Sequence, residues 1–183
     1  MKHVLALCEQ TNADTFGYFN IAHNGKLDPS GLVKGWAIYQ AALSLLKKDI
    51  SNFYIEAGGD IQVQGQAADS KPWTVGIRSP FKTEDIIKTL QVRNQGVATS
   101  GTYIRGQHIY NPFHPDKPLT RVRSLTVIGP NTYEADRYAT AAFAMGESGI
   151  AFIETRPDLE GYMITDDQRA TYTSGFERYV ADA

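Results

Sequence analysis

"NTYEADRYATAAFAMG", residues 131–146, is an Ala-rich stretch that predicts a helix. On that helix Asp136 and Thr140 are four residues apart and therefore lie on the same face. They would present a carboxylate and a hydroxyl to one point, and Mg²⁺ prefers such hard oxygens, usually with only one or two carboxylates and room for phosphate. A second interpretation stays open, in which the helix dipole favours Asp136 and Thr140 bonds back to a backbone carbonyl.

Segments with strand character surround this helix. Upstream, residues 32–48 predict a helix with Ser30 as its cap. Residues 87–94 and 96–106 predict two strands joined as a hairpin at Asn94-Gln95-Gly96. The other strand-like segments are residues 52–66, 72–80, 124–130, 160–167 and 171–176. The order of these elements predicts an α+β fold, with helices packed on one face of an antiparallel sheet.

The composition is that of a single globular domain over residues 1–183, with 42% hydrophobic and 21% charged residues. The net charge of −2 leaves no basic surface for non-specific nucleic-acid binding. Cys8 is the one cysteine, which excludes an internal disulfide. We find no apolar run long enough to span a bilayer and no signal peptide. The chain as given is therefore expected to be cytoplasmic, and export of a longer parent chain stays open.

Two glycine-containing segments are candidate ligand sites. In LDPSGLVKGWA, residues 27–37, backbone N–H groups at the helix start could meet an anion, and Lys34 lies one turn further on. In EAGGDIQVQG, residues 56–65, Gly58 and Gly59 interrupt a strand and Asp60 follows them. Paired glycines there indicate a bulge or the close approach of a ligand. An exposed lysine and a simple bulge are equally compatible with these patterns.

A third and a fourth polar segment adjoin each other. VATSGTYIRG, residues 97–106, offers two hydroxyls at Thr99 and Ser100 and an accessible backbone at Gly101. Alternation along a strand would place Thr99, Gly101, Tyr103 and Arg105 on one face. In HIYNP, residues 108–112, a histidine precedes a turn at Asn-Pro. A lone histidine is more often structural than catalytic, and His3, His23 and His114 are interpreted as surface or loop residues.

Five stretches of the sequence, in the order in which they follow one another along the chain, resemble the ApbE family, the FAD:protein FMN transferases. ADRYATA, residues 135–141, is similar to that family's metal-binding helix, and DPSGLVKGWA to its signature Asp-x-Gly-x-(Ile/Leu)-x-Lys-Gly-(Tyr/Trp)-Ala. AGGDI resembles its Gly-Gly-(Asp/Asn) strand. The remaining two matches are WTVGIRSP, residues 73–80, and VATSGTYIRGQHIYNP, residues 97–112. The similarity extends from about Leu5 to about Thr165, most of the chain.

The resemblance implies a T-fold-like, ApbE-type domain that carries out a Mg²⁺-dependent transfer. FAD would be the substrate, and the hydroxyl of a threonine on a partner flavoprotein would attack its pyrophosphate. FMN would become attached through a phosphoester, and AMP would leave. Some members of the family instead hydrolyse FAD to FMN and AMP.

The resemblance also implies roles for residues of this chain. Mg²⁺ would be held by Asp136, Thr140 and the backbone carbonyl at Val33. His108 and Asp60 are the catalytic candidates, with His108 as general base or as a group that positions phosphate and hydroxyl. The residues expected to bind FAD are Lys34, Gly58, Gly59, Asp60, Thr99, Ser100, Gly101, Tyr103 and His108.

The sequence departs from the family pattern in three places. Asn111 replaces the Asp of the His-Ile-x-Asp-Pro block, and Ile104 stands where Glu is common. The strands with which family members usually begin are missing, so the domain is interpreted as N-terminally incomplete, with weakened FAD binding and a possible homodimer. Two function classes therefore remain, an FMN transferase and a truncated flavin- or nucleotide-binding domain without turnover.

Overall fold

A six-stranded antiparallel sheet forms the centre of the molecule. The computed structural model describes residues 2–23, 25–82, 84–102 and 109–181. The strands are β1 (Ala22–His23), β2 (Lys26–Leu27), β3 (Phe53–Ala57), β4 (Asp60–Gln64), β5 (Trp73–Arg78), β6 (Ile86–Val92), β7 (Gly96–Gly101), β8 (Val122–Gly129), β9 (Glu160–Thr165) and β10 (Ala170–Tyr172). The central sheet has the order β10–β9–β8–β7–β4–β3, while β1–β2 and β5–β6 form separate antiparallel pairs.

The helices in the described part of the chain are α1 (Lys2–Asp14), α2 (Ser30–Leu46), α3 (Thr132–Ala144) and α4 (Gly149–Glu154). None of them has the length and apolar character that a bilayer span needs. Helix α3 begins where the sequence predicts, because the Asn131 side chain accepts the Glu134 N–H at 2.9 Å and caps it. The predicted Ser30 cap of α2 is wrong. Pro29 occupies that position without a side-chain cap bond, and Ser30 is the first helical residue.

The helices lie on one face of the central sheet, as predicted. Alternate residues of a strand point to opposite faces. In β8, Leu125 and Val127 belong to the hydrophobic cluster that contains Ala139 and Phe143 of α3. The next residue, Ile128, belongs to a second cluster on the other face, which the β5–β6 pair covers. The predicted α+β architecture is therefore confirmed.

The predicted hairpin between residues 87–94 and 96–106 is wrong. Strand β6 pairs with β5, with Leu90 opposite Val75. Strand β7 instead lies between β4 and β8 in the central sheet. Asn94 does turn the chain, with a φ of 52°, but this turn carries it from one sheet to the other. A local turn signal cannot distinguish these outcomes, because burial of Leu90 against Val75 and Val97 depends on the whole fold.

Candidate active site

Helices α2 and α3 approach each other closely where two glycines of α2 face α3. A Cβ atom on Gly35 would lie 2.5 Å from the Cβ of Asp136, and one on Gly31 would lie 2.7 Å from the Cγ2 of Thr140. Real Cβ atoms are not found at such distances, so the packing requires glycine at both positions. This approach places the Asp136 and Thr140 side chains against the first turns of α2.

Both side chains form hydrogen bonds with the backbone of α2. The Gly35 N–H donates to Oδ2 of Asp136 at 2.8 Å, and the Thr140 hydroxyl donates to the Gly31 carbonyl at 3.0 Å. The hydroxyl of Thr140 thus bonds across to the neighbouring helix. Its separation from the Ser100 hydroxyl on β7 is 3.5 Å. A carboxylate, two hydroxyls and a carbonyl oxygen are therefore gathered at the start of α2.

Asp60 lies beneath this group at the start of β4. It follows the β3–β4 turn, in which Gly58 and Gly59 have φ values of 59° and 90°, as a tight hairpin of this kind requires. Its side chain is 1% exposed, with Oδ2 2.9 Å from Nζ of Lys34. Oδ1 accepts the Thr99 N–H at 3.3 Å. Asp60 therefore contacts protein groups on both of its oxygens.

The pKa values of both buried aspartates are raised. Loss of solvation, followed by the charge of Asp60, raises the pKa of Asp136 to about 8, against the opposing effects of Lys34 and the Gly35 N–H. Burial also raises the pKa of Asp60, and the Lys34 ammonium is the largest opposing influence. In the absence of a cation, Asp136 therefore retains a proton near neutral pH, and a divalent ion would compete with that proton.

The oxygen atoms near Asp136 suit a Mg²⁺ ion. A buried carboxylate whose pKa is raised by burial and by a neighbouring acid would be stabilised by a cation, and hydroxyl and carbonyl oxygens complete a hard donor set. Within the described residues there is no group of three or more His, Cys, Asp and Glu side chains that could hold a metal. Mg²⁺ that is bound partly by phosphate oxygens usually takes only one or two carboxylates from the protein.

A cavity of about 410 Å³ opens beside these oxygens. Gly31 and Thr140 contribute to its lining, together with Tyr18, His23, Lys26 and Tyr110. The rings of His23 and Tyr110 are stacked with centroids 3.9 Å apart. The Tyr110 hydroxyl shares its one proton between the carbonyl oxygens of Asn20 and Ala22, which lie 2.9 and 3.0 Å from the hydroxyl oxygen. Aromatic walls with a few polar groups are typical of small-molecule sites.

The structure brings together part of the predicted set. Six of the predicted residues lie close together in the structure, with the Thr99 amide at the edge of the group. They are Lys34, Gly58, Asp60, Ser100, Asp136 and Thr140. The Thr99 hydroxyl lies 2.8 Å from that of Thr126 and is not directed at Asp136. The carbonyl beside Thr140 is that of Gly31, and the role of Val33, two residues later, remains a prediction. Tyr103 and His108 lie outside the described residues.

The sequence interpretation missed several cavity residues. His23, interpreted from the sequence as a surface or loop residue, is half-buried, lines the cavity and stacks on Tyr110. No local pattern pairs these two residues, which are far apart in the chain. The spacing of Gly31 and Gly35, four residues apart in a predicted helix, was a usable signal for close helix packing.

Comparisons with known proteins agree on one family. The chain is 31% identical over 169 residues to a FAD:protein FMN transferase of Vibrio cholerae serotype O1 (strain ATCC 39541 / Classical Ogawa 395 / O395), covering 86% of this chain and 48% of that protein. It is 28% identical over 160 residues to a FAD:protein FMN transferase of Haemophilus influenzae, covering 81% and 46%. The chain thus spans about half the length of these curated relatives.

Experimental structures support the fold. The flavin transferase ApbE from Vibrio cholerae superimposes with a TM-score of 0.82 at 23% identity, covering 97% of this chain and 75% of that one. The ApbE protein of Thermotoga maritima gives 0.86 at 21% identity, covering 99% and 77%. The sequence model of the ApbE family matches residues 1–163. On these grounds the chain belongs to the ApbE family.

Proposed function

We propose that this chain is part of a Mg²⁺-dependent enzyme that transfers the FMN moiety of FAD to a threonine hydroxyl of a partner flavoprotein and releases AMP. The observation that carries the proposal is that Asp136 and Thr140 are both held against the first turns of α2, where Thr140 and Gly31 line the aromatic cavity. Membership of the ApbE family, whose relatives include FAD:protein FMN transferases, supports the same chemistry.

In this proposal Asp136 and Thr140 would hold Mg²⁺ together with a carbonyl of α2, that of Gly31 or Val33. When bound, the ion supplies positive charge to the attacked phosphate and to the departing AMP. Asp136 must lose its proton before it can act as a ligand, because only the carboxylate binds a metal well. The Gly35 N–H holds the carboxylate in place through its 2.8 Å hydrogen bond.

The cavity would bind one ring system of FAD against its aromatic lining. Its volume of about 410 Å³ accommodates part of the dinucleotide, and its lining joins the rings of His23 and Tyr110 to the oxygens of Thr140 and Gly31. Gly58, Gly59, Ser100 and Gly101 would approach the phosphates. Lys34 would contribute its charge from the base of the site, where it also neutralises Asp60.

The threonine hydroxyl of the acceptor must lose its proton as its oxygen bonds to phosphorus and the phosphoanhydride bond to AMP breaks. The predicted base is His108. Asn111, which replaces an Asp of the family pattern, accepts the Phe113 N–H at 2.9 Å through its side-chain oxygen. An amide oxygen performs this turn-forming role as well as a carboxylate does. The substitution therefore preserves the local turn.

One observation favours a second candidate function. The chain aligns with only 46–48% of the length of its curated relatives, and the transferase activity is named for those longer proteins. A domain that binds FAD without transferring FMN, or that hydrolyses FAD to FMN and AMP, is the alternative. A homodimer is a further proposal, which light scattering of the purified chain would test.

The deciding experiment incubates the chain with FAD, Mg²⁺ and a threonine-bearing flavoprotein substrate. In-gel flavin fluorescence detects FMN on the acceptor, and chromatography quantifies AMP. The same assay is run on an N-terminally longer version of the chain and on Asp136→Asn. We expect fluorescence on the acceptor and equimolar AMP, both lost with Asp136→Asn or with a chelator.

The outcomes separate the candidates. AMP with free FMN and no labelled acceptor indicates the hydrolase. FAD binding without AMP in either version indicates a binding domain. Full metal-dependent transfer by Asp136→Asn would show that the metal site lies elsewhere.

A further inference from the structure

Strand β4 and helix α3 face each other through two matched pairs of polar residues. Asp60 and Gln62 are two apart on β4 and so share the face that points to the helices. Thr132 and Asp136 are four apart on α3 and so share the face that points to β4. Gln62 contacts Thr132, and Asp60 and Asp136 interact electrostatically. The contact at Gln62 is thus one helical turn from the candidate metal ligand.

Every polar atom of the Gln62 side chain is engaged. Its Oε1 accepts the Thr132 N–H at 2.8 Å and the Thr132 hydroxyl at 2.9 Å. Its Nε2 donates to the carbonyls of Val63 and Gln95 at 3.1 and 3.2 Å. The side chain is 3% exposed. Four hydrogen bonds on a buried amide fix its orientation, so Gln62 acts as a rigid link between the sheet and the first turn of α3.

The bond from Gln62 differs in kind from the other cap at this helix end. Asn131 accepts the Glu134 N–H, a contact within three residues that stabilises the turn without attaching it to the sheet. Gly96 of β7 lies directly under the same turn, since a Cβ there would be 2.1 Å from the Thr132 nitrogen. Gln62 therefore ties the first turn of α3 to β4, whereas the Asn131 cap is a contact within the turn itself.

We propose that Gln62 is a positioning residue for the metal site, because it holds α3 at the position along β4 that places Asp136 and Thr140 against α2. The inference rests on the proposed function, since the site it positions is the proposed Mg²⁺ site. Loss of the link would let α3 shift by a fraction of a turn. The Asp136 carboxylate and Thr140 hydroxyl would then no longer meet Gly35 and Gly31 at 2.8 and 3.0 Å.

The test compares Gln62→Met with Asn131→Ala in the full chain. Met has nearly the shape of Gln and removes all four hydrogen bonds, whereas Asn131→Ala removes a cap at the same helix end and leaves Gln62 intact. Calorimetric titration with Mg²⁺ alone gives metal affinity, and urea unfolding gives stability. We expect Gln62→Met to weaken Mg²⁺ binding about tenfold, as outer contacts of metal sites do, and Asn131→Ala to leave it within about twofold.

Thr132 provides a second pair of variants that does not alter Gln62. Thr132→Val removes only the hydroxyl donor and should weaken Mg²⁺ binding less than Gln62→Met, while Thr132→Ser keeps the hydroxyl and should retain wild-type affinity. If Gln62→Met fails to fold, the inference is tested by comparing the Mg²⁺ affinities of Thr132→Val and Thr132→Ser, and equal affinities would contradict it.

Two results would overturn the inference. One is unchanged Mg²⁺ affinity in Gln62→Met, and the other is an equal loss of Mg²⁺ affinity in Asn131→Ala at matched stability. Either result would show that Gln62 stabilises the fold without positioning the metal site. Absence of Mg²⁺ binding in the unsubstituted chain would instead contradict the proposed metal site, and the inference would fall with it.

Discussion

Gly35 of α2 donates its backbone N–H to Oδ2 of Asp136 on α3 across 2.8 Å. Because Gly35 has no side chain, the two helices can approach closely at this point. The same residue therefore sets the distance between two helices and supplies a hydrogen bond to the proposed metal ligand. Helix packing and metal binding are therefore linked at Gly35, and a substitution that alters the packing is expected to alter Mg²⁺ binding as well.

Replacing Gly35 by Ala should destabilise the protein and weaken Mg²⁺ binding together. The new methyl would lie 2.5 Å from both the Cβ of Asp136 and the Thr132 carbonyl oxygen, so the helices must separate. Overpacking of this kind costs roughly 1–3 kcal/mol. Urea unfolding and Mg²⁺ calorimetry measure the two effects. Ser44→Ala, on the exposed side of the same helix, is the control and should change stability by less than about 0.5 kcal/mol. Equal stabilities for the two variants would contradict the packing argument.

The metal-free protein should lose stability as the pH rises from about 4 to about 8. The pKa of Asp136 is raised from 3.8 to about 8, so between these values the folded state binds more protons than the unfolded state does. The free energy of unfolding then decreases with increasing pH. Asp60, whose pKa is also raised, contributes in the same direction.

Urea unfolding in a chelator at several pH values measures this slope. Asp136→Asn, which cannot titrate, should show a shallower decrease than the unsubstituted protein, and added Mg²⁺ should stabilise the unsubstituted protein most at the alkaline end. An identical slope in Asp136→Asn would show that other groups cause the dependence.

Short-range patterns predicted the part of the site that lies on one helix. The i, i+4 spacing of Asp136 and Thr140 is fixed by helical geometry, so their common face could be deduced from the sequence. The pairing of Lys34 with Asp60 could not be deduced, because it depends on how α2 lies over the β3–β4 turn.

Strand pairing and side-chain direction were also harder to deduce from the sequence, because both depend on distant segments of the chain. The turn at Asn94 was recognisable, but the choice of β5 as partner for β6 is made by burial of Leu90 in a core assembled from distant segments. Alternation correctly separates Thr99 from Ser100. Only the structure shows that Ser100 points toward Thr140 while the Thr99 hydroxyl meets Thr126.

Replacing Lys34 by Met should destabilise the protein more than loss of an exposed helix lysine would. Lys34 is 24% exposed, but its partner Asp60 is 1% exposed and would be left as a buried acid without a counter-charge. Removing one partner of a fully buried ion pair costs 3–5 kcal/mol, so about 2 kcal/mol is expected for this partly exposed one.

A double-mutant cycle with Asp60→Asn tests the origin of this effect. Adding Asp60→Asn to Lys34→Met should recover part of the lost stability, because the amide carries no charge to neutralise. Additive losses in urea unfolding would mean that the pair does not couple and that Lys34 acts through its stem alone.

Tyr110→Phe should weaken FAD binding and leave the free energy of unfolding nearly unchanged. The hydroxyl bonds to the carbonyls of Asn20 and Ala22 hold the Tyr110 ring against His23 on the cavity wall. These contacts are exposed, so water can replace them in the unbound protein at little cost. A less fixed wall loses about 1 kcal/mol of binding, which is roughly fivefold in affinity. Tyr110→Ala, which also removes the stacked ring, should lose more.

Flavin fluorescence titration gives the dissociation constants for this comparison. Tyr172→Phe is the matched control, because Tyr172 lies on edge strand β10, is outside the cavity lining and also donates its hydroxyl, to Glu177. It should bind FAD like the unsubstituted chain. If Tyr110→Phe and Tyr110→Ala both keep the original affinity, the cavity beside Thr140 does not take a ring of FAD. The flavin must then be bound on another surface, and this outcome does not bear on the proposed metal site at Asp136.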